Sequence, residues 1–198
     1  MTTVVRPYKG VSAEERRAER RTRLVQACLE VVAAEGILGT SAERVCAEAQ
    51  LTKRYFYESF PDRDALLLAA ADEMFATLRE RMEQELPRNR SRRERTHAVL
   101  TVLIDTLSGD PRLARLYVES PGNPVLLARR EQAIASFTEF VATAVLNEGG
   151  PAPDPGRLLA TRVLTAGTTD VITSWLAGNL DADRDVIIET LERLASAV

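Results

Sequence analysis

The stretch from Thr40 to Phe60, TSAERVCAEAQLTKRYFYESF, limits what this chain can fold into more than any other. Thr40 and Glu43 stand at the spacing of a capping box, in which a hydroxyl and a carboxylate satisfy the free N–H groups that open a helix. Val45 and Ala49 then share one face, Gln50-Leu51 supplies a break, and Thr52 stands where its hydroxyl can cap a second helix. On a wheel of about 100° per residue, Phe56 and Phe60 fall on the inner side of that second helix. Arg54 and Glu58 lie opposite, with Lys53 and Tyr57 on one edge and Tyr55 on the other. Two short helices, a tight turn and an outward face of hydrogen-bond donors make a helix-turn-helix, whose second helix reads the major groove of DNA.

Each outward residue has its own chemistry. The Arg54 guanidinium can bond O6 and N7 of guanine together. Lys53 sits at the positive end of the helix dipole and suits a phosphate. The Tyr57 hydroxyl suits a phosphate, and Tyr55 a phosphate or a thymine methyl. Glu58 can accept from a cytosine amino group or hold Arg54. Thr40, Arg44 and Thr52 complete the expected DNA-contacting set. The bland alternative for the Lys-Arg-Tyr group is a solvated helix face. Upstream, Arg16, Arg17, Arg20, Arg21 and Arg23 can lie along phosphates, or simply pair with Glu14, Glu15 and Glu19.

Charge is distributed to match. Residues 1–60 carry 10 Lys and Arg against 8 Asp and Glu, whereas residues 61–198 carry 16 against 21. A basic head on an acidic body fits a division of labour in which only the head meets nucleic acid. With 198 residues, 45% of them hydrophobic, the chain can bury a core. No apolar run reaches the roughly 18 residues that a membrane span needs, and MTTVVRPYKGVSAEERR lacks the apolar stretch of a signal peptide. A cytoplasmic location is expected. Cys28 and Cys46 sit in apolar helical patterns and read as small buried hydrophobes. With one histidine, His97, no metal site or other cofactor is expected.

The rest of the chain is a succession of helices without an alternating strand pattern. A mobile arm, residues 1–12, precedes a helix from Ala13, where Leu24, Cys28, Val31 and Val32 form one face and Gly36 is a C-terminal cap. Pro61 closes the helix-turn-helix and Asp62 caps a helix from Arg63 to about Leu86, ended by Pro87. The run Arg88–Thr96 reads as a charged connection or frayed helix start. Further helices are expected at Ala98–Leu107, after Pro111, at Val125–Leu146, at Arg157–Ala177 and at Asp183–Ala197, with loops at Pro121–Pro124 and 149–156. That makes an all-α chain of about nine helices. The domain limits read as 13–61 for the head and 62–198 for the body. Ile187, Leu191, Leu194 and Val198 form a stripe near heptad spacing on the last helix. Together with Trp175 they point to a dimer seam, with packing inside one subunit as the alternative.

Residues 20–72 resemble the N-terminal domain of TetR-family (tetracycline-repressor-like) transcriptional regulators. The resemblance is carried by Glu35-Gly36, Thr40-Ser41, Val45, Ala49, Leu51-Thr52-Lys53, Tyr57, Phe60 and Asp64-Ala65-Leu66. It implies a three-helix DNA-binding head, a helical body with a ligand pocket, and a four-helix dimer interface made by the last two helices of each subunit. Met74, Leu103, Tyr117, Phe137 and Thr169 are the pocket-wall residues it implies, around a small, mostly apolar ligand. Two positions depart from the family's habit. Gln50 stands in the turn, and Arg54 in the recognition helix, where the family often has glycine.

The leading expectation is a homodimeric, ligand-released repressor acting on a palindromic operator in double-stranded DNA. The alternative is a DNA-organising protein with the same head and no small-molecule effector. An enzyme is not expected: the chain has no nucleophile–base pair, paired metal ligands or phosphate loop. No membrane partner is expected.

Overall fold

A computed structural model describes residues 12–86, 90–147 and 151–198, and among these it contains helices and turns but no strand. The helices are α1 (Ala13–Gly39), α2 (Ala42–Ala49), α3 (Lys53–Ser59), α4 (Arg63–Glu85), α5 (Arg92–Ser108), α6 (Pro111–Glu119), α7 (Pro124–Phe140), α8 (Pro155–Leu176) and α9 (Arg184–Ser196). The N-terminal arm up to residue 11, Pro87 and the start of the 149–156 loop lie outside the described residues. Two compact units divide inside α4, between Ala70 and Ala71.

In the first unit, Ser12 and Glu15 form a reciprocal capping box at the start of α1. Leu24, Cys28, Val31 and Val32 are buried along its inner face. The helix breaks at Gly36, whose φ of 78° and ψ of 173° belong to a region that side chains rarely enter. Thr40 is buried, and its hydroxyl donates to the Gly36 carbonyl at 2.9 Å. It therefore fastens the bend rather than opening α2. Ser41 is the cap, accepting from the Arg44 N–H, so the expected Thr40–Glu43 box is displaced by one residue.

The turn between α2 and α3 is a Schellman motif. Leu51 donates to the Cys46 carbonyl at 2.9 Å and Gln50 to the Ala47 carbonyl at 3.2 Å. Gln50 is left-handed, with φ 52° and ψ 44°, the position where the sequence departs from glycine. Thr52 begins α3 without a side-chain cap; its backbone carbonyl does the accepting. Phe56 and Phe60 are buried with their ring centroids 6.2 Å apart, and Asp62 caps α4 by accepting from the Ala65 N–H. Both cysteines are free and buried, and burial pushes the Cys28 thiol up to about 12.

In the second unit, α5 starts at Arg92, because Ser91 and Glu94 supply a second capping box. From Arg92 on, the charged run is the start of this helix, the second of its two expected readings. Helix α9 lies antiparallel to α5: Asp105 pairs with Arg184 at 2.7 Å, while Arg93 and His97 meet the buried Glu192 at 3.2 and 2.5 Å. Helices α7 and α8 are likewise antiparallel, since Arg130 reaches Thr173 and Arg157 reaches the Leu146 carbonyl, both at 2.6 Å. The expected loop at Pro121–Pro124 contains a 3₁₀ turn, Ser120–Gly122, and Asn123 caps α7. Beyond Phe140 the helix widens to a π turn, Val141–Val145, where one continuous α-helix was expected. No described helix is long and apolar enough to cross a membrane.

A left-handed Gln50 carries a steric cost that glycine escapes. Gln50→Gly is expected to raise stability by about 1 kcal/mol. Urea denaturation of both proteins checks this; an unchanged or lower midpoint would mean that the turn is unstrained.

Candidate functional site

The outward face of α3 begins as the wheel placed it. Arg54 has 84% of its side chain exposed and donates from Nε to Glu58 at 2.9 Å, one helical turn on. Lys53 is paired with Glu43 of α2. These carboxylates raise the affinity of Lys53 and Arg54 for their protons, first through the hydrogen bond and then through charge. Tyr57 is exposed, its ring set edge-on to the buried Phe56 at 5.2 Å. Tyr55 is more covered, with the Arg20 guanidinium 4.6 Å over its ring. Arg44 is exposed and pairs with Glu35 at 3.3 Å. Of the expected DNA-contacting set, Lys53, Arg54, Tyr55, Tyr57, Arg44 and Thr52 are exposed, and Thr40 is not. The correction at Thr40 has a simple cause, since its hydroxyl is spent on a buried carbonyl.

The arginine run on α1 does something that neither sequence reading anticipated. Arg17 donates to the Glu58 carbonyl at 2.7 Å and Arg21 to the Ser59 carbonyl at 3.0 Å, at the C-terminal end of α3. Arg23 donates to the Ala49 carbonyl at 2.6 Å, at the end of α2. Arg21 also stacks on Phe60 at 4.1 Å. Cations at helix C-termini satisfy orphan carbonyls and oppose the dipole.

The second unit contains a cavity with about 830 Å³ of space free of atoms, part of it continuous with solvent. Phe75, Leu78 and Met82 of α4 form one wall and Val99, Leu100 and Leu103 of α5 another. Tyr117 of α6, Ile134 and Phe137 of α7, and Val141 and Val145 of the π turn continue the lining. Leu164, Thr165, Thr168 and Thr169 of α8 and Leu191 and Ala195 of α9 close it. Leu103, Tyr117, Phe137 and Thr169, four of the five expected wall residues, line this cavity. Met74 does not: it is buried but off the wall, while its neighbour Phe75 and, one turn on, Leu78 face the space. Burial raises the Tyr117 phenol above its ordinary range. One wall residue was missed entirely. Arg130 is the single charged residue of the lining and is only 7% exposed. Its position in the run Ala128-Arg129-Arg130-Glu131 gave no sign of burial.

The expected dimer seam needs correction too. Ile187 and Leu191 are buried inside their own unit, and Leu191 is a cavity wall. Trp175 is half-buried and donates from Nε1 to the Ala182 carbonyl at 3.0 Å, fastening the turn between α8 and α9. Leu194 stays on the outside, 55% exposed. Other large apolar side chains are exposed on the same two helices: Leu159 at 66%, Val163 at 68% and Val186 at 53%. Ala166 and Gly167 are exposed beside Val163, and a Cβ added at Gly167 would meet nothing within 4 Å.

Fold and exposed donor face together define a helix-turn-helix transcriptional regulator. Residues 24–70 match the family described as bacterial regulatory proteins, tetR family, which marks the head as the DNA-binding part of a transcriptional regulator. It is 25% identical over 175 residues to the HTH-type transcriptional activator FasR of Mycolicibacterium smegmatis, covering 87% of this chain and 80% of the relative. Its fold is similar to that of the fatty acid degradation regulator FadR from Bacillus halodurans, with TM-score 0.72 and 13% identity over 89% of this chain and 94% of the other. It is also similar to FadR from Bacillus subtilis, solved in complex with stearoyl-CoA, with TM-score 0.69 and 20% identity over 89% and 98%.

Proposed function

We propose that the protein is a homodimeric repressor that binds a palindromic operator through α3 and is released when a small, mostly apolar molecule enters the cavity. The observation that carries the DNA half is the exposed row of Lys53, Arg54 and Tyr57 on a helix anchored by Phe56 and Phe60. A cavity lined mostly by hydrocarbon supports the effector half. So does the neighbour solved with stearoyl-CoA. Helix α4 is unbroken from Arg63 to Glu85, contributing Leu66 and Leu67 to the first unit and Phe75 to Met82 to the cavity. It is the element through which we propose ligand occupancy biases the head. A second reading has one support, the name of the Mycolicibacterium relative: the bound protein activates. A reporter fused to the operator decides between them, by the sign of its change when the gene is deleted.

Lys53→Ala is expected to weaken specific and random DNA alike and to reduce the salt slope by about one. Arg54→Ala is expected to relax base choice at one position per half-site, by about ten- to a hundredfold. Competition binding on an operator library reads both. Equal losses of Arg54→Ala on specific and random DNA would make it a phosphate contact.

The dimer surface we propose is the outer face of α8 and α9 formed by Leu159, Val163, Gly167, Val186 and Leu194. Gly167→Arg puts a side chain into open space in one protomer, so the fold tolerates it, but it obstructs a second copy. Sedimentation at micromolar concentration is expected to give a wild-type dimer and a folded Gly167→Arg monomer. A wild-type monomer, or a variant that still dimerises with wild-type affinity, overturns this surface.

To move the head from mostly bound to mostly free, a ligand must prefer the free form by about 10⁴-fold. Linkage requires that operator weaken that ligand by the same factor. Titration of a bound ligand with and without operator is expected to show it, and identical affinities would end the effector reading.

A further inference from the structure

We infer that the cavity is built for an amphiphile with an anionic head, and that Arg130 is the residue that takes the head. The inference rests on the cavity being a ligand site and adds the chemical class of the ligand.

Arg130 enters the lining from α7 with its guanidinium buried. Its partners are all neutral. Nη1 donates to the Tyr117 carbonyl at 3.0 Å and to the Ser120 hydroxyl at 3.3 Å. Nη2 donates to the Thr173 hydroxyl at 2.6 Å and, at the long distance of 3.5 Å, to the Thr169 carbonyl. The Tyr117 ring lies 4.7 Å under the guanidinium. Among the described residues, no carboxylate pairs with Arg130, whose hydrogen bonds all go to neutral oxygens. A guanidinium keeps its charge in a protein. Largely buried and without a carboxylate partner, it is costly to the fold, and an anion brought by a ligand offsets part of that cost.

The rest of the lining narrows the class. Thr165 and Thr169 each donate their hydroxyl hydrogen to the carbonyl four residues back on α8, so towards the cavity they can only accept. Thr96, at the start of α5, has a buried hydroxyl without a hydrogen-bond partner, but it is uncharged. Arg130 is therefore the one cationic donor that the wall offers. From it the lining follows α7 through Phe137 to Val145, fifteen positions on, which at about 1.5 Å per residue is roughly 20 Å of hydrocarbon wall. A site with one buried cation at one end and apolar side chains along the rest fits a hydrocarbon body that ends in a carboxylate or a phosphate. A guanidinium can take either with paired bonds.

Isothermal titration calorimetry with decanoate, decyl phosphate and decanol tests this on the full-length protein, all three kept below micelle-forming concentrations. At least one of the two anions is expected to bind about ten- to a hundredfold more tightly than decanol. The stronger of the two identifies the head as carboxylate or phosphate. In Arg130→Gln the advantage is expected to fall to within about twofold, with decanol affinity unchanged; in Arg130→Lys, which keeps the cation without the fork, part of it survives. A merely structural Arg130 would weaken all three probes together. Decanol binding as tightly as both anions to the wild type overturns the charge assignment and leaves the cavity a ligand site, and this outcome needs no variant to fold. Full retention of the preference in Arg130→Gln overturns it as well. Binding of none of the three overturns the ligand reading of the cavity and this inference with it.

Discussion

Seven residues are too few to hold a helix on their own, and α3 has seven. Everything the head does therefore depends on how α3 is held from outside. Two kinds of contact hold it. Phe56 and Phe60 fix its inner face by burial, and Arg17 and Arg21 of α1 seize its last carbonyls. The second contact sets position along the helix axis, which apolar packing alone controls poorly. Arg23 does the same for α2 at Ala49. Helix α1 is thus a ruler against which the ends of both short helices are set, and Gly36 and Thr40 fix where the chain leaves it.

The parts of this structure that were legible in the sequence are those set by local rules. Caps, prolines and apolar spacing placed α3, α4, α6 and α9 within a few residues, and Phe56, Phe60 and Gly36 fell where their chemistry demands. What was not legible depended on the direction of a side chain in three dimensions. The stripe through Ile187 and Leu191 has the spacing of an interface, but the same spacing serves a helix that closes a cavity. Periodicity says that a face is covered, not by what. Met74 and Phe75 are adjacent and both apolar, and only the crossing of α4 with its neighbours decides which one meets open space. Arg130 sits in a charged run that any composition rule assigns to solvent. It is buried because Tyr117 of α6, Ser120 of the 3₁₀ turn that follows and Thr173 near the end of α8 offer it oxygen atoms.

The arginines illustrate how little a residue type says by itself. Arg54 is presented to solvent, Arg17 and Arg21 cap helix ends, Arg93 meets a buried carboxylate, and Arg130 lies in an apolar wall. The fork geometry and permanent charge are common to all. Their different tasks follow from which acceptors the fold brings near.

The pairing of Lys53 with Glu43 and of Arg54 with Glu58 bears on how such a head moves among sites. Non-specific attraction to a duplex grows with the number of cations free to replace its condensed counter-ions. Two of the best-placed cations here already have carboxylates beside them, so a random sequence gains less from their approach. A site that offers a well-aligned acceptor to Arg54 competes with Glu58 on better terms than a passing phosphate does. The carboxylates thus act as a threshold. On the proposed DNA-binding role of α3, they lower what a random sequence gains relative to one that can meet the exchange.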